Sequence, residues 1–242
     1  MKTILQCAIF ALLLISKQSY SQTGYDVNLL RSGGSSSPFD RGNSVAVDAD
    51  GNMYVAGNFS GTAEFGALSV TSAGDHDGFI IKYNDQGVEQ WARRVGGTGV
   101  DNINGISISG TDVYITGSFN GTANFNTPFS FVNNNLTSAG STDIFVAKFN
   151  TSGTFLWTRR AGGTGGDFAN SIAASGTDVY ITGSFNGTAN FNTPSSTGTN
   201  EISAIGNTDI FIAKFNSSGD LQFQRRAGST GNDVSRGVVV AL

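Results

Sequence analysis

Residues 112–126 read DVYITGSFNGTANFN, and residues 178–192 read DVYITGSFNGTANFN again. Tyr114 to Tyr180 sets a period of 66 residues, which Asp143 to Asp209 and Arg159 to Arg225 repeat. Self-similarity at this spacing marks repeat architectures, so it governs how every other segment is read. A more divergent copy precedes these two: NMYVAGNFSGTAEFG at 52–66, DGFIIKYN at 77–84 and WARRVGGTG at 91–99. It is shorter only before its third strand, where Tyr54 to Asp77 spans 23 residues and Tyr114 to Asp143 spans 29. The segments 66–76, 126–142 and 192–208 therefore read as surface loops that tolerate insertion.

Each copy carries four β-signals. In the second they are NGISISG, DVYITGSF, DIFVAKFN and TFLWTRRAG, each bounded by Gly, Asn, Asp or Ser. The joints Gly110-Thr111, Asn120-Gly121 and Asn150-Thr151-Ser152-Gly153 hold the residues that tight turns require, so consecutive strands are expected to pair antiparallel. Ile144 and Val146 alternate with Phe145, Ala147 and Phe149, which puts apolar side chains on both faces of one strand. Both faces then need cover, and stacking four-stranded sheets face to face about an axis supplies it. The expected fold is an all-β propeller of four-stranded antiparallel blades, with an open solenoid of sheets as the alternative.

Three repeats of about 60–66 residues fit the chain: blade 1 over about 40–100, blade 2 over about 101–166 and blade 3 over about 167–232. Partial blades flank them. Leu30-Arg31-Ser32-Gly33-Gly34 matches the end of the fourth-strand motif, as in Arg94 to Gly97, and reads as an orphan outer strand over about 26–36. Residues 233–242 read as the first strand of a further blade, VSRGVVVAL. Three complete blades fall below the ~4–8 of closed rings, so the expected ring is incomplete, or completed by other copies through unpaired blade edges.

Taken together, the strings DIFVAKFN at 143–150, WTRRAGGTG at 157–165 and VYITGSF at 113–119 resemble the bacterial seven-bladed β-propeller repeat family over about residues 29–242. The resemblance implies a four-stranded blade and an extracytoplasmic protein assembled with other surface modules. It implies no reaction.

Composition agrees with a folded β protein. Thirty-three glycines without a Gly-X-Y period suit many tight turns, and 18 phenylalanines suit a packed core. A net charge of −4 and the absence of any Lys/Arg run argue against a nucleic-acid partner. Lys2, the apolar run Ile4 to Ile15 and Ser19-Tyr20-Ser21 read as a signal peptide over 1–21, leaving 22–242 as an exported domain with no membrane span. Cys7, the single cysteine, lies inside that signal, so the mature chain is expected to have neither disulfides nor a thiolate site.

Candidate chemistry is sparse. Asp48, Asp50 and Asn52 are spaced to suit a calcium ion, although an Asp-Gly hairpin turn accounts for them more simply. Asp40, Asp101, Asp167 and Asp233 recur at the start of each blade, and Asp77, Asp143 and Asp209 before each third strand. Carboxylate pairs can serve glycoside hydrolysis, but a residue present once per blade more often makes one backbone hydrogen bond in every blade. Arg93-Arg94, Arg159-Arg160 and Arg225-Arg226 lie on the outermost strand, where they are expected to guard edges or pair with the aspartates. His76, the only histidine, stands at a loop position that Thr142 and Thr208 fill in the other copies, and reads as solvated. Phe59, Phe119, Phe185, Phe65, Phe125, Phe191, Trp91 and Trp157 read as wedges between blades.

No catalytic or cofactor-binding residue stands out. The expected function is a non-catalytic binding or scaffold module, secreted or at the cell surface, whose three loops contact a protein or carbohydrate. The alternative is part of an extracellular propeller enzyme acting on polysaccharide or peptide.

Overall fold

The structure, a computed structural model, describes residues 31–32, 40–125 and 134–240. Residues 1–21, read above as a signal peptide, most of the 26–36 segment and part of the 126–142 loop lie outside these residues. After the short strand β1 (Arg31–Ser32), blade 1 contains β2 (Arg41–Val47), β3 (Met53–Phe59), β4 (Thr62–Phe65), β5 (Leu68–Thr71), β6 (Asp77–Tyr83) and β7 (Glu89–Gly97). Blade 2 contains β8 (Asp101–Ser109), β9 (Asp112–Phe119), β10 (Thr122–Asn124), β11 (Asn135–Thr137), β12 (Asp143–Asn150) and β13 (Phe155–Ala161). Blade 3 contains β14 (Phe168–Ser175), β15 (Asp178–Phe185), β16 (Thr188–Asn190), β17 (Glu201–Ser203), β18 (Asp209–Asn216) and β19 (Leu221–Ala227).

The described residues are all-β. Each blade is a four-stranded antiparallel sheet, ordered β2-β3-β6-β7, β8-β9-β12-β13 and β14-β15-β18-β19. Turn glycines fix the joints: Gly110 (φ 58°) and Gly176 (φ 57°) between first and second strands, Gly153 (φ 76°) and Gly219 (φ 80°) between third and fourth. A bulge recurs in every first strand, between Gly42 and Ser44, Ile103 and Gly105, and Ala169 and Ser171.

The unit holds six strands rather than four. A small hairpin follows each second strand, β4–β5, β10–β11 and β16–β17, and its second strand lies inside what the sequence presents as a loop. Three-residue strands fall below the length at which alternation becomes a signal, and the four-residue strands β4 and β5 only just reach it. The hairpins of blades 2 and 3 reach back to the preceding sheet: Ala123 pairs with Gly97 on β7, and Asn190 with Gly162. β1 makes the same contact with β4, Arg31 opposite Glu64, so it occupies the place of a fourth strand ahead of blade 1.

The sheets stack face to face, and the apolar residues divide as alternation requires. Phe145, Ala147 and Phe149 of β12 join a core with Tyr54, Ile80 and Trp91 of blade 1. Ile144 and Val146 join a core with Ile181, Phe185 and Phe211 of blade 3. Adjacent first strands are tied by side chains: Asn43 Nδ2 donates to Ile103 O and Asn104 Nδ2 to Ala169 O, both at 2.8 Å. Asn170 Nδ2 extends the series to Ser235 O at 2.8 Å, so residues 233–240 stand where a next first strand would. They form no strand ladder, because no second strand lies beside them among the described residues.

Candidate functional site

The seams between blades gather most of the charged residues singled out in the sequence. Ahead of each third strand an aspartate closes its own loop: Asp77, Asp143 and Asp209 accept the N–H groups of Ala73, Ala139 and Ile205 at 2.7, 2.9 and 3.0 Å. The second arginine of each pair binds the same carboxylate, Arg94 to Asp77 at 2.8 Å, Arg160 to Asp143 and Arg226 to Asp209 at 2.6 Å. The aspartate that begins the next blade accepts a glycine or serine N–H from the end of the preceding blade: Gly97 to Asp101 at 2.7 Å, Gly163 to Asp167 and Ser229 to Asp233 at 2.8 Å. Burial, reinforced by the neighbouring Asp77 and Asp143 carboxylates, pushes Asp101 up to about 7 and Asp167 up to about 6.

In blades 1 and 2 the first arginine of the pair departs from the expected role of edge guard. Arg93 Nε donates to Gly153 O and Arg159 Nε to Gly219 O, both at 2.9 Å across the seam. Lys82 and Trp91 converge on Thr151 O at 3.2 and 3.1 Å, and Lys148 and Trp157 on Ser217 O at 3.2 and 3.0 Å. Each of these two blades thus grips the third-to-fourth turn of the next with two cations and an indole. The 66-residue period aligns these residues with one another, but alignment alone does not say that they reach across a seam. The inner-edge asparagines Asn43, Asn104 and Asn170 escape sequence reasoning for the same reason.

A recess of about 380 Å³ opens between blades 2 and 3, lined by Leu136, Arg159, Arg160, Asn190, Asn192 and Pro194. Leu136 comes from the 126–142 loop, Asn192 and Pro194 from the 192–208 loop. Most of these side chains are polar, and both arginines are anchored by the contacts described above. Such a surface suits hydrogen-bonding ligands that carry some apolar area.

Of the calcium candidates, Asp48 and Asn52 meet. Asp48 Oδ1 accepts the N–H groups of Asp50 and Asn52 at 3.0 and 2.9 Å, and its Oδ2 accepts Asn52 Nδ2 at 2.8 Å and the Tyr54 hydroxyl at 3.1 Å. These bonds complete a hairpin turn around Gly51 (φ 82°), and Asp50 is exposed beside it. Among the described residues, no group of three or more His, Cys, Asp or Glu side chains is placed to hold a metal ion. His76 is half-buried, with both ring nitrogens closed to solvent, rather than solvated. It abuts the seam, where its carbonyl accepts the Asp101 N–H at 2.8 Å. The phenylalanine wedges Phe59, Phe119, Phe185, Phe65, Phe125 and Phe191 are fully buried.

No protein-family model matches the chain. The chain is similar to an uncharacterised WD repeat-containing protein of Acanthamoeba polyphaga mimivirus, 26% identical over 151 residues. The match covers 56% of this chain, which spans only 11% of that protein's length. WD repeats build four-stranded propeller blades, in keeping with the propeller-like repeat of β-sheets found here.

Proposed function

We propose that this chain is an exported, non-catalytic binding module of the propeller type, acting outside the cell or at its surface. Its ligand, a protein or a carbohydrate, is held at the hairpins and loops between second and third strands. One observation carries this reading: the recess between blades 2 and 3 is framed by Leu136 of the 126–142 loop and by Asn192 and Pro194 of the 192–208 loop, set against the paired strands that carry Arg159 and Arg160. The resemblance to the bacterial seven-bladed repeat family and the WD-repeat name of the distant relative support a scaffold role. The acidic net charge of −4 supports partners other than nucleic acid.

The alternative, an extracellular enzyme acting on polysaccharide or peptide, needs a carboxylate pair that meets substrate. The seam aspartates Asp77, Asp101, Asp143 and Asp167 are at most 1% exposed and recur from blade to blade, which favours the binding module.

Two measurements test the proposal. Expression with the native N-terminus in a Gram-negative host is expected to yield an exported product beginning at Gln22, and an intact cytoplasmic Met1 would overturn the export. Soluble glycans and extracellular proteins arrayed against the chain are expected to give binding that Leu136→Arg abolishes. Binding unchanged by that substitution would move the site elsewhere.

A further inference from the structure

We infer that each of the two seams between complete blades binds one proton, shared between the aspartate ahead of the third strand and the aspartate that starts the next blade, with Asp143 and Asp167 as the clearest pair. The Asp143 Oδ2 atom is fully engaged, accepting Arg160 Nη1 at 2.6 Å and the Ala139 N–H at 2.9 Å. Its guanidinium partner makes Asp143 the charged member of the pair. The other oxygen, Oδ1, is buried and has no hydrogen-bond partner. Leaving a charged acceptor buried without a donor is costly, so a donor belongs there.

The structure points to one candidate. A β-carbon at Gly162 would lie 2.8 Å from both Asp143 Oδ1 and Asp167 Oδ2, so the two oxygens face the same point beside the glycine. Asp167 already accepts the Gly163 N–H on Oδ2 at 2.8 Å and the Asn186 N–H on Oδ1 at 3.1 Å. A proton on Asp167 Oδ2 leaves a lone pair for Gly163 and supplies the O–H that Asp143 Oδ1 lacks. It also makes the charge balance. Two ionised carboxylates against Arg160 would leave one net negative charge buried, whereas one shared proton leaves none.

The arrangement repeats. Asp77 Oδ1 is likewise buried without a hydrogen-bond partner. A β-carbon at Gly96 would lie 2.6 Å from Asp77 Oδ1 and 2.8 Å from Asp101 Oδ2, and one at Gly228 would lie 2.8 Å from Asp209 Oδ1 and 3.0 Å from Asp233 Oδ2. The ionisable groups around the first pair are Arg94 and, next in sequence to Asp77, His76; the second pair has Arg160, with Thr142 in place of the histidine. The upward displacement of Asp101 and Asp167 agrees with protonation of these members of the pairs.

The sign of the pH effect follows. A carboxyl raised in the folded state binds more protons there than in the unfolded chain between the two pKa values. Its stabilising contribution is complete below about 4, and is lost as pH rises through about 6 for Asp167 and about 7 for Asp101. Blade cohesion is therefore greatest in mild acid and weakens toward neutral pH.

Carbon-13 NMR of the side-chain carboxyls of the 242-residue chain tests this directly. One carboxyl in each of the two seams between complete blades, Asp101 and Asp167, is expected to titrate well above the ordinary aspartate range, with Asp167→Asn removing one such signal. The amide introduced by that substitution supplies a donor that does not titrate, although it no longer accepts the Gly163 N–H, so parent and variant are compared by their pH slopes and not by absolute stability. The unfolding temperature of the parent is expected to fall by about 2–8 °C more than that of Asp167→Asn between pH 5 and 8. Titration of Asp167 in the ordinary range, or equal pH slopes for parent and variant, would overturn the proposal. So would a titration displaced by millimolar sodium or calcium at constant ionic strength, since a cation rather than a proton would then lie between the carboxylates.

Discussion

The indole N–H of Trp91 donates to the carbonyl oxygen of Thr151, 3.1 Å away in the next blade. Around this bond Lys82 donates to the same carbonyl and Arg93 lies over the indole, 5.3 Å from its centroid. The turn approaches so closely that a β-carbon at Gly153 would come within 2.7 Å of the ring. Blade 3 carries Phe223 in the equivalent place, which shows that the strand accepts a ring without the donor. Trp91→Phe is expected to cost about 1 kcal/mol, since Lys82 still satisfies the carbonyl, whereas Trp91→Ala is expected to cost about 3 kcal/mol. Chemical denaturation of the two variants gives the comparison.

Glycines in the repeat serve two separate needs. Gly162 (φ 141°) combines a positive-φ backbone with two carboxylates where its β-carbon would go, while Gly110 (φ 58°) has open space around it. Gly162→Ala is expected to destabilise by about 2–3 kcal/mol and Gly110→Ala by about 1 kcal/mol. Equal costs in thermal unfolding would show that backbone strain alone matters at both sites.

The Asp48 turn allows a direct test of calcium. Its carboxylate takes its hydrogen bonds from Asp50, Asn52 and Tyr54, so the turn is satisfied by the chain itself. Partial burial works to raise the Asp48 pKa, but these bonds outweigh it and the net displacement is downward. Asp48→Ala is expected to cost about 1–2 kcal/mol at neutral pH, with the same loss in calcium and in chelator. A calcium-dependent rise in unfolding temperature that disappears in Asp48→Ala would instead assign a cation to the turn.

Much of this arrangement is legible in the sequence because the repeat reports each contact several times. The two-sided apolar pattern of Ile144 to Phe149 calls for cover on both faces, and the blades on either side supply it. The recurrence of Asp101 and Asp167 points to a repeated backbone bond, and Gly97 and Gly163 are the donors. What stays hidden belongs to neighbouring blades rather than to single ones. The reach of Arg159 to Gly219 is an interblade distance, and periodicity is blind to it. The meeting of Asp143 with Asp167 at Gly162 likewise needs two blades in place. The β10–β11 and β16–β17 hairpins escape notice because three residues of strand carry too little alternation to separate from a loop.

The nearly identical third strands of blades 2 and 3 provide an internal measure of what stacking contributes. DIFVAKFN of β12 is buried along all but its last residue, whereas DIFIAKFN of β18 alternates between buried and half-exposed. Ile144 is 0% exposed beneath blade 3, but Ile210, its counterpart, is half-exposed, because blade 3 has no complete blade on its far side among the described residues. The local strand pairing is the same, Ile144 opposite Ser118 and Ile210 opposite Ser184, so the contrast isolates the interblade contact. Ile144→Ala is expected to cost about 2–5 kcal/mol, and Ile210→Ala about 1 kcal/mol. If Ile210→Ala proves as costly as Ile144→Ala in equilibrium unfolding, the far face of blade 3 is covered in solution. A second copy of the chain would then have to supply that cover, and sedimentation of the same sample would show the dimer.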